Sequence, residues 1–404
     1  MTDPRRLQGA ALAAALRESR AVTLERAWPA LAERRPVPRQ SGVNPLAWEL
    51  GHLAWFADFW VRRGPHRVDT EGFVQAAEPA LHDLPDAIYD SARIAHADRW
   101  QASLHAPDRL ADAMAAQLDA TIAAIPAADD DALLAAHRLA LFHEDMHAEA
   151  FAWTAAALGW PAPPGLATPP SLSTPQHDLH LSATAAFALG RAGDEPGYAF
   201  DNEGPQTTIP LAALSIDAAS RSAADAIAFV EAGGYADAAL WRDPDAAAWR
   251  AAHPGLAHPA RWRRAPAGSA DGWQLLWFDR WLPLDPAMPA VFLSAFEAEA
   301  IAAGLGRRLP RAAEWERASL DPRFAWGRSA WEWTADPFLP YPGFAPGPYR
   351  DYSAPWFGDH RELRGGALAT SGRMHDRRYR NFFRPERADL FTGFRTAADH
   401  RGHA

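Results

Sequence analysis

The 404-residue sequence contains no cysteine. That excludes thiolate nucleophiles, disulfides, iron–sulfur clusters and cysteine-ligated zinc. It contains no lysine either, so all 40 cationic side chains are arginines. Schiff-base chemistry and the phosphate-loop lysine are excluded with it. Cationic excess is also missing: 50 acidic residues outnumber the 40 basic ones and give a net charge of −10. A binder of nucleic-acid backbone would need the opposite balance. No uninterrupted apolar run reaches transmembrane length. The N-terminal Ala/Leu run is interrupted by Arg17, Glu18 and Arg20, too soon for a signal-peptide core. A cytoplasmic protein with no membrane or nucleic-acid partner is expected. Its chemistry must come from histidine, carboxylates, tyrosine, hydroxyls or a bound metal.

The length suggests two or three domains, and a hydrophobic fraction of 48% is ample for packed cores. To about residue 160 the pattern is helical. Helices are expected over 7–35, from Pro45 to Arg63, over 85–104, over 107–125 and over 129–158, the last opening on three aspartates at its positive dipole end. Four or so such helices suggest an antiparallel bundle over 1–160. The Pro-dense stretch 161–176 marks the domain boundary. Over 177–404 short apolar runs alternate with Gly, Pro, Asn and Asp, with short helices expected near 222–232 and 290–304. This part reads as an irregular α+β domain held by turns and aromatic packing.

His143 and His147 stand four residues apart inside the helix of 129–158. The spacing stacks both imidazoles on one face, where one helix can supply two ligands to one metal. His52 lies in a helix lined by Trp48, Trp55, Phe56, Phe59 and Trp60, which suits a ring facing a bundle interior. Three neutral imidazoles on one side of a metal would leave open positions for substrate and O₂. Two rival patterns share these residues. Glu49-x-x-His52 and Glu144-x-x-His147 resemble the di-iron carboxylate motif, but the helix at 107–125 offers aspartates and no glutamate. His143-Glu144-x-x-His147 matches the zinc-protease motif, with Glu144 as the base. A helical bundle and a third histidine far upstream fit that motif poorly.

The chain resembles the EgtB-type sulfoxide synthases of ergothioneine biosynthesis. The matching stretches are LAWELGHLAWF (46–56), HEDMHAEA (143–150), YAFDNEGP (198–205), FVEAGGY (229–235), RRLPRAAEWE (307–316), WEWTADPFLPYPGF (331–344), LRGGALAT (363–370), RNFFRP (380–385) and TGFR (392–395). They follow the family order over nearly the whole chain. The resemblance implies an N-terminal DinB-like four-helix bundle and a C-terminal domain of the formylglycine-generating-enzyme, C-type-lectin-like fold. It implies a non-haem Fe(II), O₂-dependent oxidoreductase acting on hercynine, with His52, His143 and His147 as iron ligands.

Departures from the family pattern fall around the sulfur donor. Met146 stands where the family has Gln, and the stretch from Arg99 to Pro107 is poor in the arginines that hold donor carboxylates and gains Trp100. A donor without carboxylates needs fewer such clamps. The chain is therefore most similar to the selenoneine synthase branch, in which hercynine is joined to a selenosugar. The alternatives are a C–S bond to cysteine or γ-glutamylcysteine and, in another class, a metal-free betaine-binding protein. Sulfatase activation, also associated with the C-terminal fold, relies on cysteines that are absent here.

Hercynine carries a trimethylammonium group, which cannot donate a hydrogen bond and is held by aromatic faces. By the resemblance, Asn381 orients the substrate and Phe382 and Phe383 wall the cage. A tyrosine of the C-terminal domain acts as proton donor in some branches, and Tyr349 and Tyr352 lie in the matching segment.

Overall fold

A computed structural model describes residues 3–81, 83–172, 176–267 and 272–399. Three positions of the expected linker, 173–175, lie outside the described residues. The chain is a mixed helix-and-sheet protein of two compact units, Met1–Thr154 with Pro196–Tyr198 and Ala155–Glu195 with Ala199–Ala404.

The first unit contains α1 (Gly9–Ala32), α2 (Leu46–Arg62), a hairpin of β1 (His66–Val68) and β2 (Val74–Ala76), a one-turn α3 (Asp86–Tyr89), α4 (Pro107–Ala123) and α5 (Asp131–Ala157). From Trp48 to Trp60 every residue of α2 is buried. A helix buried on all sides belongs in the centre of a packed unit. In α4 the buried residues Leu110, Ala113, Met114, Gln117 and Thr121 follow the three-to-four-residue helical repeat, so one stripe faces inward. Leu12, Ala15 and Leu16 of α1 pack with Leu134 and Leu141 of α5. Some polar groups between the helices pair with one another. Buried Arg20 donates to Glu144 at 2.5 Å and to Gln117 at 2.8 Å, and Ser19 donates to Asp145 at 2.7 Å.

The expected helix over 85–104 is not continuous; it is replaced by α3, a turn and a 3-10 segment over His96–Trp100. The cause lies in where its carbonyls go. The Trp48 indole takes the Ile88 carbonyl at 2.6 Å, and His52 Nδ1 takes the Tyr89 carbonyl at 2.7 Å. The Asp90 carboxylate captures the Ala92 N–H at 2.9 Å. With those groups engaged elsewhere, the i→i+4 ladder cannot extend.

The second unit carries β3 (Asp178–Leu181), β4 (Thr184–Leu189), β5 (Thr207–Leu211), β6 (Leu214–Asp217), β7 (Trp262–Arg264), β8 (Trp273–Trp277), β9 (Arg280–Pro283), β10 (Trp331–Pro337), β11 (Arg361–Gly365), β12 (Asn381–Phe383), β13 (Thr392–Gly393) and β14 (Ala397–Asp399). Four short helices accompany them: α6 (Ala223–Glu231), α7 (Pro244–Ala252), α8 (Ala295–Gly304) and α9 (Ala312–Ala318). The strands form small sheets ordered β12-β11-β10-β13, β14-β6-β3, β4-β5 and β7-β8-β9, mostly antiparallel. Such short strands cannot bury a broad core on their own, and ion pairs inside the unit tie them together. Glu362 lies between Arg364, at 2.6 Å, and Arg380, at 2.7 Å. Burial alone would raise this carboxyl, but the two guanidiniums hold it below the usual range. Glu332 likewise accepts from Arg395 at 2.5 Å, from the Trp315 indole at 2.6 Å and from Ser220 at 2.8 Å.

Candidate functional site

Within the first unit α2 delivers His52, and α5 delivers His143 and His147 from successive turns. One ligand atom from each lies within 4.8 Å of the others. His52 Nε2 and His143 Nε2 are 3.3 Å apart.

The outer nitrogens fix what the inner ones can do. His52 Nδ1 faces the Tyr89 carbonyl at 2.7 Å. A carbonyl only accepts, so Nδ1 carries the proton and Nε2 keeps its lone pair. His147 Nδ1 faces Glu49 Oε1 at 2.7 Å, which assigns its tautomer in the same way. Burial holds His52 and His143 well below the usual histidine range, and the charge His147 would carry adds to the effect. His52 therefore presents an unprotonated Nε2 to the cluster, and His147 keeps a proton on the nitrogen that faces Glu49. That donor set fits a divalent transition metal, and 3.3 Å suits two nitrogens sharing an ion at bonds of about 2.1 Å.

The walls of the cluster are aromatic. Trp48 stacks on His52 with centroids 4.9 Å apart, and Phe56 lies flat on His143 at 3.5 Å. The Arg99 guanidinium sits 3.8 Å above Trp48 and donates to Asn44 at 2.7 Å. Met146 is half-buried on α5, and Trp100 donates its indole N–H to the Val37 carbonyl at 2.8 Å. Glu144 is buried against Arg20 rather than turned to the histidines, so it cannot act as a zinc-protease base. Glu49 orients His147, so the di-iron reading loses both of its E-x-x-H carboxylates.

In the second unit Asn381 and Phe383 share one face of β12, and Phe382 points to the other, because strand residues alternate. The two phenylalanines therefore do not form a single wall. Phe382 stacks on Phe338 at 4.2 Å, with Tyr352 and His360 at its edges. Phe383 carries the Arg387 guanidinium 5.3 Å from its centroid. Tyr352 is buried, donates its hydroxyl to the Tyr379 hydroxyl at 3.2 Å and stacks on Phe200. Tyr349 is half-buried, 6.0 Å from Tyr352.

Sequence reasoning missed Tyr89, Tyr379 and the role of Glu49. One signal for Tyr89 was available. Gly51 is the sole glycine of α2, and a Cβ there would lie 2.2 Å from the Tyr89 ring. Tyr379 directly precedes the RNFF segment, but nothing in the sequence pairs it with Tyr352.

Three convergent imidazoles in a helical unit, followed by a turn-rich unit of small sheets, describe a two-part protein with a histidine cluster of metal-ligand type. Residues 183–330 match the sulfatase-modifying factor enzyme 1-like domain family. The chain is 30% identical over 413 residues to a hercynine oxygenase of Mycolicibacterium thermoresistibile, covering 88% of each chain. It is 28% identical over 415 residues to a hercynine oxygenase of Mycobacterium tuberculosis, covering 88% of this chain and 91% of that one. A hercynine oxygenase of Mycolicibacterium smegmatis is likewise 28% identical, over 417 residues, with the same coverage. The chain belongs to the hercynine oxygenase family. Among the described residues no helix is long and apolar enough to cross a membrane.

Proposed function

We propose that this protein is a non-haem Fe(II), O₂-dependent oxidoreductase that joins the imidazole carbon of hercynine to the sulfur of cysteine or γ-glutamylcysteine. The names of its relatives support hercynine as substrate and favour this C–S reading over the C–Se reading that the donor-segment departures suggested. The observation that carries the metal site is the convergence of the His52, His143 and His147 ring nitrogens, with two outer nitrogens committed to Tyr89 and Glu49. In this reading residues 1–160 form a DinB-like bundle that holds the metal, 161–176 link it to the substrate-binding domain at 177–404, and the enzyme works in the cytoplasm.

Bound at the three histidines, ferrous iron would supply open coordination positions and mediate transfer of four electrons to O₂, two from the C–H and S–H bonds replaced by C–S and two from oxidation of the sulfur to a sulfoxide. The imidazoles, being neutral, leave the ion's charge intact to favour an anionic thiolate beside it. Asn381 and Phe383, on one face of β12, orient hercynine, with the trimethylammonium against the ring. The Arg387 guanidinium already lies over one face of Phe383, so the trimethylammonium would use the opposite face. Phe382 backs the strand from its other side. The Tyr352–Tyr379 hydroxyl pair holds a proton for reduced oxygen, with Tyr349 nearby.

A selenosugar donor is the second reading. It is favoured by Met146 beside His147 and by Arg99, the one arginine of the segment 99–107, being committed to Asn44 and Trp48. The test is anaerobically reconstituted enzyme given hercynine, O₂ and each donor, with products weighed by mass spectrometry. C–S product with cysteine or γ-glutamylcysteine is expected. Product from the selenosugar alone moves the assignment to the second reading. Hercynine bound by protein that takes up no iron would make it the metal-free betaine binder.

A further inference from the structure

The two hydrogen-bonded ligand candidates face acceptors of different charge. His52 Nδ1 meets a neutral carbonyl, whereas His147 Nδ1 meets the Glu49 carboxylate, both at 2.7 Å. Glu49 is 2% exposed, on a helix whose surroundings are aromatic and aliphatic. A buried carboxylate is costly unless a cation compensates it. For Glu144 and Glu362 that cation is an arginine, Arg20 and Arg380. Among the described residues the partner of Glu49 is an imidazole. The ring belongs to the cluster in which one nitrogen of each histidine lies within 4.8 Å of the others, so a divalent ion held there would complete the charge pairing through His147.

We infer that Glu49 is a positioning residue for the metal: through His147 it fixes the ring's tautomer and orientation and places a negative charge beside the ion, making His147 a stronger donor than His52. The inference rests on the metal-site reading above. Outer partners of this kind typically change metal affinity by about 10- to 100-fold.

Glu49→Gln keeps an acceptor oxygen and the side-chain volume but removes the charge; Glu49→Ala removes both. Cobalt(II) is the probe, read by chelator competition for affinity and by the position of its visible absorption bands. Fe(II) affinity is measured in parallel, with thermal melting as the control for folding. The expected result is weaker binding by roughly 10-fold or more in both variants, with Ala the weaker, and shifted cobalt bands. A folded Glu49→Gln protein with wild-type affinity and wild-type bands overturns the role of Glu49 and leaves the metal site standing. Wild-type protein that binds neither metal overturns the site and this inference together.

Discussion

In the helical unit three imidazoles meet, while in the turn-rich unit the buried carboxylates Glu362 and Glu332 lie against guanidiniums. Glu362 is clasped by Arg364 and Arg380 at 2.6 and 2.7 Å; His52 Nε2 lies 3.3 Å from His143 Nε2. The first arrangement compensates its own charge and stabilises one packing of short strands. The second gathers three ring nitrogens closely enough to share one metal ion. Burial of polar groups is thus a sign of architecture where the partners are present in the chain, and a sign of function where the geometry calls for something outside it.

The largest effect that would test this contrast is His52→Ala. Iron loading and turnover should both be lost, as read by metal analysis of purified protein and by hercynine consumption, while the fold persists. Normal iron content in that variant would break the ligand assignment. Next comes Arg380→Met, which leaves the buried Glu362 with one guanidinium instead of two. Denaturant unfolding should show a loss of about 3–5 kcal/mol, with the metal content of the folded protein unchanged. Loss of metal without loss of stability would erase the distinction between the two regions.

A pH titration of the metal-free protein sharpens the same point. His52 and His143 are held neutral when folded but titrate near 6.5 when unfolded. Below that pH the unfolded chain binds protons the folded chain does not, so stability must fall as the pH drops. The slope should approach about 1.4 kcal/mol per histidine per pH unit, and a flat profile between pH 6.5 and 5 contradicts the buried neutral rings. The smallest effect is expected from Phe383→Ala. Loss of one cation–π face, about 0.5–1 kcal/mol, should raise the hercynine KM about two- to fivefold with kcat little changed. An effect of that kind in Phe382→Ala but not in Phe383→Ala would place hercynine on the other face of β12.

Much of the helical unit was legible because helical order is local. The i, i+4 spacing of His143 and His147, the apolar run around His52 and the Pro45 start of α2 are all written in neighbouring residues. The 85–104 region was misjudged because its fate depends on distant side chains, Trp48 and His52, that draw off its carbonyls. Glu49 was visible within an E-x-x-H pattern, but the pattern does not say whether the carboxylate faces a metal or the back of a histidine ring. In the second unit α7, α9 and the β7–β9 hairpins escaped notice, since strands and helices of so few residues have little periodicity to detect.

The sequence by itself determined the absence of cysteine and lysine chemistry, the presence of long helices before residue 160 and the pairing of His143 with His147 on one helix face. Only the tertiary structure decided that His52 joins them, that Tyr89 and Glu49 set the tautomers, and that Phe382 and Phe383 part to opposite faces of a strand. The physical reason is range: helix periodicity is fixed by hydrogen bonds four residues apart, whereas the contact between α2 and α5 is made by packing across some ninety residues of chain.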